Sequence, residues 1–388
     1  MARSARGTGS IRKNSKTVNG KTYTWWEARY SAGVDPGTGK RIQKTVSGKT
    51  QKEVAQKLKA ATAAIDAGTY TEPSKMTVGE WLDIWAAEYL GNVKILTVSA
   101  YKSSITHHIK PNIGAVRLDK LNAHTVQSLY NGLGATLSAK TIKNVHGVLH
   151  RALAQALANG YIKTNPADSC VLPRAEKKEL KPLDEIDTKN FLGAIQGHQF
   201  ELLYTVTLFT GMREGEVLGL TWDSVDFNRG TITISKQLQK DKHTGSQYFL
   251  ASLKNDKPRS VTPAPFVMEL LTKQKQLQEE WKAAAGELWD NKFDLVFTNQ
   301  LGGNLIPQTV VRHYKDIVTI IGRPDARFHD LRHSYAVAAI RSGDDIKTVQ
   351  GNLGHATASF TLDIYGHVTD QMKSASAARM QEYINRLR

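Results

Sequence analysis

The spacing of apolar residues changes along this chain, and these changes constrain the fold more than any other feature of the sequence. Alternation with a period of two, typical of strands, dominates up to about residue 46. Helical spacing of three or four follows to residue 159, and beyond residue 180 helical segments enclose a stretch at 231–253 where the period returns to two. The pattern predicts a multidomain α+β protein, and 388 residues suffice for two or three domains with separate cores.

Positive charge is concentrated at the start of the chain. The formal net charge is +16 at pH 7, and residues 1–73 hold 14 lysines and arginines against five acidic residues. A field of this sign attracts polyanions, and nucleic acid is the commonest polyanion that a soluble protein meets. An anionic membrane surface is the alternative, although no apolar stretch approaches the roughly 18 residues that a spanning helix needs. We therefore expect a nucleic acid as the partner, and no membrane.

The remaining bulk features favour a cytoplasmic protein. The basic start at residues 1–10 is not followed by the apolar run of a signal peptide. Cys170 is the single cysteine, so neither an intrachain disulfide nor a cysteine-based zinc cluster can form, in agreement with a reducing compartment. A protein with these features is expected in the cytoplasm.

Residues 1–70 predict a small three-stranded sheet with one covering helix. Turn sequences at Asn19-Gly20 and at 35–39 separate the strand-like runs, and a capping box at Thr50–Glu53 begins a helix that runs to Gly68. The helix would cover one face of the sheet, and a basic face left free can lie in a DNA groove. A solvated basic face is the alternative. Three side chains are candidates for DNA contact on the free face: Arg29, Arg41 and Lys44.

Residues 76–172 predict a helical domain. A linker at 69–75 precedes it, and a connector with Asn165-Pro166 follows it. A second capping box lies at Thr77–Glu80. Further helices are expected at 97–109, 122–133 and 138–159, the last ending at Gly160. Basic helix faces are commonly just solvated, and the candidates for DNA contact here are Lys102, Lys140 and Lys143.

Residues 180–388 predict a mainly α-helical domain with a small antiparallel sheet, and its first chemical feature is Thr210–Glu216. Gly211 permits a sharp turn after a strongly apolar helix, so Arg213 would begin a short helix. Glu216, three residues later, would share its face and orient the guanidinium. An oriented arginine suits a phosphate, whereas a surface salt bridge is the alternative.

A polar hairpin is expected after two strand-like runs. Residues 231–237 and 247–253 are expected to form antiparallel strands, and 254–261 to continue as the hairpin. A lysine on such a hairpin can reach over bound DNA. Lys254 is the first choice for that lysine, Lys257 is the second, and a solvated turn is the alternative reading.

The densest grouping of chemical side chains is Arg327–Ala336. His329 and Arg332 are three residues apart at an expected helix start, so both can face one point while Leu331 packs behind them. A lone histidine is more often a core or surface residue, so this grouping indicates a functional site only together with the other candidate residues of the domain.

Two further candidates follow in the sequence. A short helix at 344–350 would be stopped by Gly354, which would expose His355. Tyr365 comes ten residues later and precedes a glycine, which is a suitable place for a mobile nucleophile.

The order of these groups resembles the signature of the tyrosine recombinase, or phage integrase, family. That signature is an early arginine, a hairpin lysine, a His-x-x-Arg pair, a late Leu-Gly-His and a terminal tyrosine. In this sequence it reads Arg213, Lys254, His329 with Arg332, Leu353-Gly354-His355, and Tyr365. The layout is similar too: residues 1–70, 76–172 and 180–388 resemble the arm-site-binding, core-site-binding and catalytic domains of integrases from phages and conjugative transposons.

The resemblance implies a site-specific DNA recombinase that integrates and excises a mobile element. Tyr365 would form a 3′-phosphotyrosyl intermediate, and because the covalent bond stores the phosphoester, neither ATP nor a metal nor another cofactor is required. Cations would stabilise the negative transition state. The other implied roles are Arg213 and Arg332 as phosphate clamps, His329 as proton acceptor, Lys254 as general acid, His355 as phosphate hydrogen-bond donor, and Glu216 as support of Arg213.

Assembly is implied as well, because recombination joins two duplexes and uses four active sites. The resemblance therefore implies a tetramer on double-stranded DNA with core-type and arm-type sites, and an excisionase or a DNA-bending protein as accessory partner. It also implies a place in the cytoplasm of a bacterium, associated with the nucleoid. The tail after Gly366 predicts an amphipathic helix, which would dock either on a neighbouring protomer or on its own core.

Three other classes of protein stay open at the level of sequence. A type IB topoisomerase uses a similar residue set without site preference, but lacks this integrase-like layout. A non-catalytic DNA-binding regulator would share the charge without needing the ordered set. A metal-dependent nuclease is suggested only by the 12 histidines, and those at 329, 333, 355 and 367 lack a matching carboxylate cluster.

Overall fold

The computed structural model describes residues 10–34, 39–66, 75–175, 181–240, 247–253, 257–354 and 369–388. By its internal contacts the chain divides into two compact units, residues 1–176 and 177–388. The finer limits predicted for three domains remain predictions. No helix among the described residues combines the length and the hydropathy that crossing a bilayer requires.

The amino-terminal module is an antiparallel sheet of three strands, as the sequence predicts. The strands lie in the order β1 (Ile11–Val18), β2 (Lys21–Val34) and β3 (Arg41–Gly48). Val18 pairs with Lys21 across the two-residue turn, and β2 is irregular between Ser31 and Gly33. The second predicted turn, at 35–39, lies mostly outside the described residues.

A helix, α1 (Gln51–Asp66), packs against all three strands. The Thr50 hydroxyl accepts from the Glu53 backbone N–H at 3.2 Å, and the Glu53 carboxylate accepts from the Lys49 N–H at 2.9 Å. The predicted cap is therefore present, except that the Glu53 carboxylate binds the backbone N–H of Lys49 and not that of Thr50. Val54 of α1 is fully buried, as are Ala28 and Tyr30 of β2, so this face of the sheet is the module's core.

The helical domain is built around Trp81. Its indole is completely buried and donates to the Ala152 carbonyl at 2.8 Å. The predicted capping box of Thr77 and Glu80 is present, and α6 ends just before Gly160. The helices are α2 (Val78–Glu88), α3 (Ile95–Ser104), α4 (Lys110–Ile113), α5 (Ala123–Leu133) and α6 (Ala139–Ala158), with a π-helical turn at Ile105–Ile109.

The second unit is mainly helical, and aromatic rings hold its centre. Phe191, Tyr204, Tyr314 and Phe328 have centroids 5.6 to 6.1 Å apart and join four helices. The helices are α7 (Glu185–Ala194), α8 (Glu201–Thr210), α9 (Glu214–Leu218), α10 (Pro265–Ala285), α11 (Pro307–Ile320), α12 (Phe328–Arg341), α13 (Ile346–Leu353) and α14 (Thr369–Leu387). The ring cluster fixes the start of α12 relative to α8.

The predicted strand at 231–237 is in fact divided between two sheets. One sheet has the order β4 (Val225–Asp226), β5 (Thr231–Ile234) and β8 (Arg259–Val261), and the other pairs β6 (Lys236–Lys240) with β7 (Tyr248–Ser252). The buried apolar residues of β5 and β6 stand at even-numbered positions: Ile232, Ile234 and Leu238. Periodicity therefore continues across Ser235 and does not reveal that the pairing partner changes there.

Candidate active site

The turn between α8 and α9 organises the site, and Gly211 makes it possible. Gly211 has a φ of +65°, in the left-handed region that disfavours side chains. A Cβ there would lie 2.5 Å from Tyr335 Cδ1 and 2.8 Å from Leu353 Cδ2. Only a glycine lets the end of α8 approach α12 and α13 so closely.

Arg213 occupies the cap position at the start of α9, and Glu216 holds it. The Arg213 guanidinium donates from Nη1 to Glu216 Oε1 at 2.6 Å, while its backbone N–H donates to Oε2 at 2.9 Å. The Arg213 side chain is one-third exposed and that of Glu216 is buried. The pairing predicted from the three-residue spacing is thus present, and it leaves the guanidinium partly accessible.

A second arginine, Arg259 of β8, shares the same carboxylate. Its Nη2 donates to Glu216 Oε2 at 2.6 Å and its Nη1 donates to Oε1 at 3.0 Å. Its Nε donates to the Asn352 carbonyl near the end of α13 at 2.7 Å. Sequence reasoning did not single out Arg259, because its partners are 43 and 93 residues away and no local spacing signals them.

The two arginines determine the charge state of Glu216. Burial of this carboxylate opposes ionisation, but the hydrogen bonds and positive charge of Arg259, followed by those of Arg213, outweigh it and lower the pKa to about 2. Glu216 is therefore a carboxylate at any pH near neutrality.

Arg332 joins the ends of two helices from within the core. It is only 2% exposed, and its guanidinium donates to the Gly211 carbonyl at 2.7 Å and to the Leu353 carbonyl. These bonds fix the plane of the guanidinium beside the turn that carries Arg213. The sequence predicts the start of this helix but not these backbone partners, and the role of Arg332 as a phosphate clamp stays a prediction.

His329 lies at the start of α12 and is exposed. Partial desolvation of the ring, followed by the positive charges of Arg332 and Arg213, lowers its pKa. The ring is therefore neutral at pH 7 and able to accept a proton. His333 stacks edge-on against it with centroids 4.9 Å apart, and burial lowers the pKa of His333 to about 4.

Three of the predicted site residues, Lys254, His355 and Tyr365, lie outside the described residues. Lys257 is described and exposed, two residues before the start of β8. The last described residue of the α13 region is Gly354, which directly precedes His355 in the sequence. Among the described residues, no group of three or more His, Cys, Asp or Glu side chains could hold a metal ion.

The β6–β7 hairpin lies directly against α9. A Cβ on Gly219 would overlap the Leu238 backbone nitrogen and would lie 2.8 Å from the Gln237 carbonyl carbon. The absent side chain lets two backbones meet, so the hairpin and the carboxyl end of α9 pack without a layer of side chains between them.

The open face of the amino-terminal sheet carries two of the three predicted DNA contacts. Arg29 alternates with the buried Ala28 and Tyr30, so it lies on the open face, and Arg41 is exposed on the same side. The expectation that Lys44 lies on this open face is wrong. Lys44 pairs with Tyr30 and therefore lies on the helix-covered face, because residues 41 and 44 differ by an odd number.

The candidate DNA contacts of the helical domain differ in accessibility. Lys102 on α3 and Lys140 on α6 are exposed, whereas Lys143 is half-buried. All three lie on polar faces of helices whose apolar faces form the domain core.

Comparison with known families accounts for most of the chain. Residues 174–372 match the phage integrase family, and residues 77–134 match the phage integrase N-terminal SAM-like domain. A tyrosine recombinase XerC-like protein of Caldanaerobacter subterraneus subsp. tengcongensis is 26% identical over 389 residues, covering 96% of this chain and 99% of the relative. The ICEBs1 integrase of Bacillus subtilis is 25% identical over 380 residues, covering 92% and 97%.

Solved structures share the fold. The Tn1549 transposon integrase in complex with a circular intermediate DNA aligns with a TM-score of 0.67 at 21% identity, over 79% of this chain and 99% of that one. A lambda integrase tetramer bound to a Holliday junction aligns at 0.55 and 18% identity, over 87% and 93%. Because the family match spans more than half of the sequence, including Arg213, His329 and Arg332, the chain belongs to the phage integrase family and is a tyrosine-type site-specific DNA recombinase.

Proposed function

We propose that this recombinase integrates and excises a mobile element, using Tyr365 as the nucleophile. The observation that carries the proposal is the grouping of Arg213, His329 and Arg332 around the α8–α9 turn and the end of α13. The sequence continues from that helix end into His355 and Tyr365. The names of the ICEBs1 and Tn1549 integrases support the mobile-element substrate.

The chemistry follows from the charge of a DNA phosphodiester. The Tyr365 oxygen attacks the phosphorus, a phosphotyrosyl bond forms, and the bond to the 5′ oxygen breaks. The phenol has an ordinary pKa of about 10 and must lose its proton during attack, so a neutral His329 is suited to accept it. The leaving oxygen takes a proton from Lys254, with Lys257 as the alternative donor.

Positive charge stabilises the oxygens that do not react. Arg213 presents its guanidinium from the helix start, with Glu216 fixing the fork, and Arg332 adds a second cation beside the same turn. Planar guanidinium groups can donate two parallel hydrogen bonds to one phosphate. His355 would supply a further donor. Attack of a partner strand's 5′ hydroxyl on the phosphotyrosyl bond would complete the exchange and release Tyr365.

DNA would be bound by two further surfaces. Lys102, Lys140 and Lys143 would contact core-type sites through phosphate charge. The open face of the sheet would contact arm-type sites through Arg29 and Arg41. Glu27 on this face accepts from Arg12 at 3.0 Å and lies 3.5 Å from Arg29, so one acid anchors two cations in a fixed arrangement.

Exchange between two duplexes would require four protomers, and α14 is the element best suited to join them. The exposed side chains on one face of α14 are Met380, Tyr383, Ile384 and Leu387. Docking on a neighbouring protomer and docking on its own core are both consistent with this face. The lambda integrase tetramer supports assembly on DNA. An excisionase or DNA-bending partner, and an association with the nucleoid, complete the proposal.

The first test is Tyr365→Phe on suicide substrates made from the ends of the parent element. Wild-type protein is expected to accumulate a covalent protein–DNA adduct, and the variant to form none while binding the same DNA with unchanged affinity. Tyr161→Phe, an exposed tyrosine of the helical domain, is the matched control and should form adducts at the wild-type rate. Adducts are measured on denaturing gels and binding by mobility shift. Persistent adducts with Phe at 365 would refute the nucleophile.

A further inference from the structure

Arg259 of β8 binds two other elements of the catalytic unit (residues 177–388), α9 through Glu216 and the end of α13 through Asn352. No step of the proposed reaction assigns it a role. Its side chain is 8% exposed, and its three donor atoms are all engaged with Glu216 or with the Asn352 carbonyl. Burying a guanidinium is costly unless its partners are good, so a buried arginine at this place needs an explanation.

We propose that Arg259 is a positioning residue for DNA cleavage, which holds the Arg213–Glu216 pair and the end of α13 in their reactive arrangement. The inference rests on the proposed role of Arg213 at the phosphate. Arg259 itself is buried behind Glu216 and is not expected to touch DNA.

The first part of the argument is the number of bonds that Glu216 accepts. Oε1 accepts from Arg213 Nη1 and from Arg259 Nη1, and Oε2 accepts from Arg259 Nη2 and from the Arg213 backbone N–H. A carboxylate has about four lone-pair sites, so the set is full. Arg259 therefore fixes the rotamer of the carboxylate, and the carboxylate in turn leaves Arg213 a single orientation.

The second part is the end of α13, where carbonyls lack partners within the helix. Arg259 binds the Asn352 carbonyl and Arg332 binds the next one, that of Leu353. Cations are favourable at a helix carboxyl end. The chain then turns closely over Arg259, since a Cβ on Gly354 would lie 2.9 Å from Arg259 Cδ. The same contacts thus fix the end of α13, and His355 is the next residue in the sequence after Gly354.

The third part is the position of Arg259 in the sequence. It lies two residues after Lys257 and five after Lys254, at the start of β8. Whichever lysine donates the proton, Arg259 anchors the carboxyl end of the segment that carries it. One side chain therefore links the phosphate-clamp pair, the lysine segment and the segment leading to His355.

The experiment compares Arg259→Met and Arg259→Lys with the control Arg323→Met, in the full chain on suicide substrates. Arg323 is also largely buried and pairs with Asp187, but that pair joins α7 to the loop before α12, outside the catalytic grouping. Three quantities are measured: the single-turnover cleavage rate at saturating protein, the dissociation constant for DNA, and the thermal midpoint.

A misplacement of about 1 Å can lower a rate about 100-fold, so Arg259→Met is expected to cleave about 100-fold more slowly. DNA affinity should stay within about threefold, because the loss is in positioning and not in phosphate contact. Arg259→Lys should recover part of the rate, since an ammonium can reach Glu216 but cannot also hold Asn352. Arg323→Met should lower the thermal midpoint and leave the cleavage rate within about threefold below that midpoint.

Wild-type cleavage by Arg259→Met would overturn the proposal, and so would a matching loss in Arg323→Met. If Arg259→Met does not fold, the double variant Glu216→Leu with Arg259→Met removes the buried charges together, which commonly preserves stability. That variant should fold and still fail to cleave, and restored cleavage would overturn the proposal. Failure of wild-type protein to form any adduct would instead count against the proposed function.

Discussion

Two helices of the catalytic unit begin with the same reciprocal arginine–carboxylate cap, but the two capping arginines differ in their exposure and in what contacts their carboxylates. Arg213 and Glu216 cap α9, and Arg327 and Asp330 cap α12 in the same reciprocal way. The Arg327 backbone N–H and its Nη2 each donate to Asp330 at 2.8 Å. The side chain of Arg327 is 64% exposed, whereas that of Arg213 is 33% exposed.

The two caps differ in the contacts of their carboxylates. Glu216 is held from the protein interior by the buried guanidinium of Arg259, in addition to Arg213. Both carboxylates are buried, but the Arg327 guanidinium is far more exposed than that of Arg213, and a cap with an exposed arginine contributes mainly to helix stability. The second arginine on Glu216 restricts that carboxylate, and through it the direction in which the Arg213 guanidinium points. The sequence motif thus identifies the helix start, and the surrounding packing decides whether the arginine can serve catalysis.

The largest expected effect concerns the two arginines. Arg213→Ala should lower the rate of adduct formation about 1,000-fold, because a positioned donor to the transition state is lost. Arg327→Ala should change that rate by no more than about threefold, because it removes an exposed cap. Single-turnover cleavage on the same suicide substrate measures both. Equal losses in the two variants would show that the two caps do not differ in function.

The next effect concerns the two carboxylates and is seen in stability. Glu216→Gln should lower the free energy of unfolding by about 3 kcal/mol, because it leaves the buried Arg259 without a charged partner. Asp330→Asn should cost about 1 kcal/mol, as expected for a weakened cap with an exposed arginine. Urea denaturation of each full-length variant at pH 7, followed by the transition of the catalytic unit, gives both values. A larger loss in Asp330→Asn would contradict the comparison.

The smallest effect is the dependence of stability on acid. The pKa of Glu216 in the folded protein is about 2, below its ordinary value, so its stabilising contribution is present above pH 5 and is lost as the pH falls toward 2. The free energy of unfolding should decrease by about 1 kcal/mol between pH 6 and pH 4 through this group. Subtracting the same titration of Glu216→Gln isolates it. An identical acid dependence in that variant would argue against a strongly lowered pKa.

Features that depend on neighbours in the sequence could be predicted without the structure. The Arg213–Glu216 pair follows from a spacing of three, and the capping box at Thr77 follows from its motif. Arg259 could not be found this way, because its bonds reach across 43 and 93 residues and depend on tertiary packing. For Lys254, His355 and Tyr365 the assignment still rests on sequence order and family resemblance.

In strands, a period of two carries limited information. Lys44 lies on the face opposite to Arg41, because the two residues are three apart in the same strand. The break at Ser235 has no signal in the sequence, because the buried apolar residues on either side of it stay at even-numbered positions while the pairing partner changes. Periodicity reports which side chains are buried, and it does not report which strand lies alongside.

The contact at Gly219 has a consequence for anyone redesigning this part of the enzyme. The main chain of Leu238 lies against the end of α9, with no side chain between the two backbones. A change in the hairpin backbone would therefore shift α9, the helix that Arg213 caps. Substitutions that reshape the hairpin should need a compensating substitution on α9.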